Sequence, residues 1–182
     1  TLPVVVHVVH LGSDVGEEEN ISDAQIFSAI EGVNQDFRKM AGTPGDGIGV
    51  DTYIQFEMAK RTPTGQPTNG IVRVDGRSIP NYADHGIQRQ SPLGADKLDV
   101  MASSWGGSDY INIFIVTEID NNNGGSGIQG FAPLGPTGGV SDGIVLMYTG
   151  FGLVGDHLMT GRDMNRGLTH EMGHLLSLFH TY

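Results

Sequence analysis

The chain has 182 residues, 38% of them hydrophobic and 17% charged, with 28 glycines and no cysteine; this describes one globular domain, or one with a smaller lobe, rich in turns and free of disulfides. Its formal charge is −11, and three lysines and seven arginines are spread along it without a basic stripe, which excludes nucleic acid as a partner. No apolar run approaches the roughly 18 residues needed to cross a membrane, so no membrane partner is expected.

Thr1 leads directly into a strand with no signal peptide ahead of it, the expectation for a mature or trimmed product. Leu2 to Val9 is β-branched and bounded by Gly12, and reads as a buried strand. His7 and His10 invite a metal site, but their odd spacing puts them on opposite faces of a strand, so they read as polar residues at its end. The acidic run Glu17 to Glu19 reads as a solvated loop. Ser22 and Gln25 form a capping box ahead of Ile26, Ile30, Val33, Phe37 and Met40, whose spacing predicts an amphipathic helix of about five turns packed on a sheet. Tyr53 to Met58 alternates like a half-exposed strand, and residues 71 to 74 add a short strand or hairpin edge.

Residues 76 to 94 carry little pattern. Asp96 to Ser104 is compatible with a short helix, and Tyr110 to Val116 with a central strand. The loop that follows, EIDNNNGGSG, fails as an EF-hand, because aligning Asp120 with the first ligand puts Phe131 where the bidentate glutamate belongs; it reads as an asparagine and glycine turn. The pattern leaves room for a calcium ion elsewhere but locates no site. Gly127 to Ala132 has the glycine content of an edge strand that bends, and Asp142 to Met147 is a short apolar strand. Glycines 135, 138 and 139 make no phosphate loop, since no GK[ST] follows. His157 lies in an irregular segment and reads as a loop histidine. A last helix is expected to begin near Asp163.

That helix carries HEMGHLLSLFH, residues 170 to 180. His170 and His174 are one turn apart and can meet on one metal ion, while Glu171 is placed to take a proton from a water on that metal. Leu168, Met172 and Leu175 fall on one stripe, about 145° from the two histidines, so one face is built for burial and the other for metal. In a continuing helix His180 would sit about 120° around and about 9 Å beyond His174. The helix must therefore stop near Leu176 or Ser177 and the chain turn back. Three neutral histidines leave a tetrahedral zinc with one open position, the catalytic arrangement.

His170-Glu171, His174 and His180 match the long zinc motif HExxHxxGxxH of the metzincin metallopeptidases, and THEMGHLLSLFHTY resembles the pappalysin family in particular, ulilysin-like members included. The resemblance extends over nearly the whole chain. One departure is Ser177, which stands where the family usually has the glycine that permits a left-handed turn; serine costs on the order of 1 kcal/mol there.

The resemblance implies an α/β fold, the metzincin upper subdomain: a twisted, mainly parallel sheet with an antiparallel edge strand, a backing helix and an active-site helix on one side. It implies that residues 1 to 182 are the upper part of a catalytic domain ending just past the third zinc ligand, without the lower subdomain and its methionine turn. It also implies a secreted zinc endopeptidase in which Glu171 activates a zinc-bound water against a peptide carbonyl. A polypeptide substrate would pair as an added strand along Gly130, Phe131 and Ala132. The alternative is a non-catalytic zinc-binding or protein-binding domain that keeps the fold, against which the intact Glu171 counts, because binding alone needs no base. A hydrolase of another metal-dependent class is disfavoured by the third histidine.

Overall fold

Valines at positions 4, 5, 6, 8 and 9 make Leu2–His10 (β1) the axis of the sheet. The computed structural model describes residues 1–122, 127–136, 142–159 and 165–180. After β1 come a long helix, Asp23–Phe37 (α1), and the strands Phe56–Met58 (β2) and Ile71–Asp75 (β3); two single-turn helices follow, Tyr82–His85 (α2) and Lys97–Val100 (α3). The strands Ile111–Val116 (β4), Gly130–Phe131 (β5) and Gly143–Met147 (β6) precede the last helix, Arg166–Leu175 (α4). The sheet runs β2-β1-β4-β6-β5, with β3 joining the same edge of β1 beyond β2. All pairings are parallel except β5 with β6.

Both faces are buried, which is why the central strands read as nearly unbroken apolar runs. Val4, Val6 and Val8 of β1, Ile113 and Ile115 of β4 and Ile144 and Leu146 of β6 face α1 and α4, where they meet Ile26, Ile30, Val33, Leu168 and Met172. The expected placement of both long helices on one side is thus found. The opposite face is covered by a loop-rich layer from residues 76 to 103, in which Tyr82, Ile87, Ala95 and Met101 pack on Val9, Phe114, Val116, Val145 and Met147. Tyr82 holds this layer: its hydroxyl donates to the Val9 carbonyl at 2.8 Å and accepts from the Thr117 N–H at 3.1 Å.

Several local expectations are corrected. The helix α1 ends at Phe37 and not at Met40: Lys39 adopts a left-handed conformation (φ 46°), and the N–H groups of Lys39 and Met40 return to the carbonyls of Asp36 and Gln35. This is a Schellman ending, and it leaves Met40 half exposed beyond the helix. Ser22 caps α1 by accepting the Gln25 N–H at 3.1 Å, but the reciprocal half of the capping box does not form, because the Gln25 amide donates to the Phe151 carbonyl at 2.8 Å instead.

The strand expected from Tyr53 is shortened to Phe56–Met58, since Asp51 Oδ1 accepts the Tyr53 N–H and Tyr53 is left-handed (φ 57°). Glu19 is buried, in contrast to its neighbours in the acidic run; it accepts from the Leu11 N–H at 2.7 Å and the Ser13 hydroxyl at 2.8 Å. Burial works against its charge, yet these hydrogen bonds outweigh it and hold the carboxyl below its usual range.

His7 is wholly buried, in register beside Phe114 of β4 and stacked on its ring at 4.5 Å between centroids. Asn112 Oδ1 already accepts from the Trp105 N–H, so it also accepts from His7 Nε2–H at 3.0 Å, and His7 Nδ1 then accepts from the Ser103 hydroxyl at 2.9 Å. Burial pushes the imidazole down to about 4 from 6.5, against a smaller opposing effect of the Asn112 hydrogen bond. An unfolded chain gains this proton near pH 6.5 and the folded one only near 4. His7 therefore stabilises the fold fully above pH 6.5, and that contribution, about 3 kcal/mol, is lost as pH falls through the window. Denaturant unfolding at pH 7 and pH 4.5, with chelator present so that metal release does not contribute, should show a smaller acid loss in His7→Gln than in the unmodified protein; equal losses would remove His7 from the acid response.

Candidate metal and catalytic site

The helix α4 is fixed before it reaches the site. Asn165, its N-cap, is left-handed (φ 65°) and buried; its amide donates to the Ala29 carbonyl at 2.7 Å and accepts from the Gly152 N–H at 3.1 Å. That approach is possible because residue 32 is glycine: a Cβ there would lie 2.7 Å from the Asn165 amide nitrogen. One carboxylate, Asp36, then ties the last turn of α1 to the first turns of α4, accepting from Arg166 Nη1 at 2.6 Å and from the Thr169 hydroxyl. Leu168, Met172 and Leu175 are buried against the sheet as the stripe predicts, and His170 and His174 point the other way. Residue 163 lies outside the described residues, and the helix is described from Arg166 onward.

The helix stops where the third histidine requires it. Ser177 is left-handed (φ 69°), its N–H returns to the His174 carbonyl at 2.8 Å, and the Leu178 N–H returns to the Gly173 carbonyl at 2.9 Å. This is again a Schellman ending with a residue other than glycine at its left-handed position. The Gly135 N–H adds a second bond to the His174 carbonyl at 3.0 Å, and Gly135 is itself left-handed (φ 79°), with room for a Cβ only if the Ser177 hydroxyl 2.7 Å away turns aside.

The reversal brings His180 back. The Nε2 atoms of His170, His174 and His180 lie 2.9 to 3.0 Å from one another. Nitrogens about 2.0–2.1 Å from a tetrahedral zinc stand roughly 3.3 Å apart, so the three fit one such ion after a small outward relaxation. The tautomer also fits: His174 Nδ1–H donates to the Leu178 carbonyl at 2.8 Å, which leaves the Nε2 lone pair free to coordinate. Burial, followed by the proximity of the other two rings, pushes His170 down, toward the neutral form a ligand needs. Among the described residues no other three His, Asp or Glu side chains converge in this way.

Glu171 is buried beside these rings, and burial raises its carboxyl above the usual range, against the lowering effects of His174, Arg89 and a hydrogen bond from the Ala132 backbone. The residues lie in a cleft of about 460 Å3 lined by Gly130, Phe131, Ala132, His170, Glu171 and His174, with Arg89 on its rim. The strand β5 forms one wall and is the outer strand of the sheet. Its Gly130 is required by contact, since a Cβ would lie 2.5 Å from the Leu146 side chain and 2.9 Å from the Val145 carbonyl oxygen.

All seven residues singled out from the sequence, His170, Glu171, His174, His180, Gly130, Phe131 and Ala132, thus border one cleft. His157 is exposed and not among the residues lining the cleft. Asp120 is occupied by backbone, accepting N–H groups of Arg89, Gln90 and Ser91 at 2.7 to 3.0 Å on Oδ1; residues 123–126 of the loop read as an asparagine and glycine turn, and Gly138 and Gly139, lie outside the described residues. Three contributors had no signal in the sequence: the Leu178 carbonyl is backbone, Asp36 looks like any helix-surface acid, and Arg89 sits in the stretch without pattern.

A mainly parallel sheet backed by two helices, with HExxH on the second and a third histidine after its terminal turn, is the architecture of a metzincin metallopeptidase. Within that class the chain is most like the pappalysin family. Residues 94–182 match the family described as pregnancy-associated plasma protein-A. Mature mirolysin from Tannerella forsythia, solved in complex with a cleaved peptide, is 31% identical with a TM-score of 0.71, the match covering 98% of this chain and 63% of that one. Mirolysin in complex with a compound is 32% identical (TM-score 0.72; 97% and 62% covered), and a point mutant of T. forsythia promirolysin is also 32% identical (TM-score 0.70; 97% and 55% covered). The chain therefore spans less than two thirds of the length of these structures. No curated protein sequence matches it.

If the turn at Ser177 sets the position of His180, its backbone preference should be measurable. Ser177→Gly is expected to raise unfolding stability by up to about 1 kcal/mol, and Ser177→Val to lower both stability and zinc affinity. Thermal midpoints and zinc titration of the two variants check this; changes of the same sign in both would show that the left-handed position does not govern the turn.

Proposed function

We propose that this chain carries the zinc and general-base groups of a secreted endopeptidase that cuts extended segments of polypeptide, and that residues 1–182 form the upper part of its catalytic domain. The observation that carries the reading is the buried Glu171 directly beside three converging imidazole nitrogens, since a site that only held metal would have no use for a base there. His170, His174 and His180 would hold zinc. The ion, when bound, supplies Lewis acidity that lowers the pKa of a water and polarises a carbonyl. Glu171 would take the proton of the attacking water, aided by a carboxyl already raised by burial, and pass it to the leaving amine. The outer strand β5 would orient substrate through its backbone, with Gly130 to Ala132 along the peptide. Mirolysin, a relative of the same fold, has been captured with a cleaved peptide, which supports a peptide as the ligand of this cleft too.

The test is hydrolysis of an unstructured protein such as casein, with zinc and with chelator, alongside zinc content by mass spectrometry. Chelator-sensitive cleavage is expected, and Glu171→Ala should bind zinc stoichiometrically while losing about 10²- to 10⁴-fold in rate. Stoichiometric zinc without cleavage by the unmodified protein would overturn the peptidase reading in favour of a zinc-dependent binding domain.

A further inference from the structure

One formal cation, Arg89, lines the cleft; the carboxylates of Glu171 and Asp120 feel its charge, but neither closes an ion pair with it among the described residues. Four other arginines are paired, Arg38 with Asp51, Arg73 with Asp23, Arg77 with Asp75 and Arg166 with Asp36. Arg89 makes no ion pair among the described residues, although the protein carries a formal charge of −11. Its backbone is fixed firmly. The Asp120 carboxylate gathers the N–H groups of Arg89, Gln90 and Ser91, and Ile87 just before them bridges to both Ala95 and Ile119. On the side of Arg89 this anchorage uses the backbone N–H and not the guanidinium, and the exposed residue lines the same cleft as Glu171 and β5.

We infer that Arg89 selects an acidic side chain in the peptide that occupies the cleft. This rests on the peptide-cutting reading above and adds a specificity to it. A guanidinium presents paired N–H donors that match a carboxylate in one plane, and an unpaired one at a cleft rim gains most from a ligand that brings the missing charge. The sheet also says where that charge should fall. At β5, Gly130 faces Leu146 and Glu171 on the α4 side, whereas Phe131 packs into the layer on the opposite face, the layer that contributes Arg89. Lys97 of the same layer places its Nζ 5.0 Å from the centroid of the Phe131 ring, which adds positive potential on that face. Side chains of an added strand alternate between faces. The acidic preference therefore belongs to one position, or to two separated by a single residue, and not to adjacent positions.

Cleavage of a positional peptide library by the unmodified enzyme and by Arg89→Ala, Arg89→Lys and Arg89→Glu tests this. For each variant the readout is the ratio of kcat/KM for the acidic peptide over its neutral counterpart, so a general loss of activity cancels. The ratio should fall on the order of tenfold in Arg89→Ala, be largely kept in Arg89→Lys, and give way to a preference for lysine at the same position in Arg89→Glu. No acidic preference in the unmodified enzyme, or one that survives Arg89→Glu, overturns the inference. Should the unmodified enzyme cut no peptide, the peptidase reading fails separately. The inference is then decided by fluorescence anisotropy of labelled acidic and neutral peptides on Glu171→Ala, with and without Arg89→Ala: tighter binding of the acidic peptide that depends on Arg89 supports it, and equal binding overturns it.

Discussion

The reversal of the chain at the end of α4 is the constraint on which the site depends. Two backbone hydrogen bonds, from Ser177 to the His174 carbonyl and from Leu178 to the Gly173 carbonyl, stop the helix and send His180 back toward the two histidines before it. The same turn orients the ring it serves, because the carbonyl of Leu178 receives the Nδ1 proton of His174. Position and tautomer thus come from a single piece of backbone, and neither would survive a helix that ran one turn further.

A turn can place a ligand only as well as its helix is placed, and α4 is tied to α1 by polar contacts besides its apolar burial on the sheet. Asn165 at its start, Asp36 across its first turns and the glycine at position 32 that admits Asn165 form one connected contact. Leu168, Met172 and Leu175 supply the apolar burial, which is not directional; the hydrogen bonds fix rotation and depth. Gln25 extends the arrangement by holding the Phe151 carbonyl from the first turn of α1.

What the sequence made legible follows from the range of the interactions involved. The buried strands and the helix stripes are local patterns, and Val4 to Val9, Ile111 to Val116 and Leu168 to Leu175 fall where periodicity puts them. The histidines and Glu171 were legible because metal geometry constrains spacing along the chain. Errors arose where a distant partner decided the outcome. Gln25 abandons its own N-cap for the Phe151 carbonyl, Glu19 leaves solvent for the Leu11 N–H, and Tyr82 and Asp120 order a layer that has no periodicity of its own. At Met40 the apolar stripe continued past the backbone turn that ends α1, so hydrophobic spacing alone overran the helix.

The Asn34 side chain has a bearing on how the molecule meets other chains. Its amide accepts the Phe56 N–H at 2.8 Å and donates to the Phe56 carbonyl at 2.9 Å, the two main-chain groups that β2 would otherwise offer to a neighbour. A helix side chain thus stands in for a further strand and seals the sheet at that point, while β5 at the far end has no such plug among the described residues. The two ends of the sheet thus differ: an added strand is blocked at Phe56 of β2, whereas the outer edge of β5 lies beside Glu171.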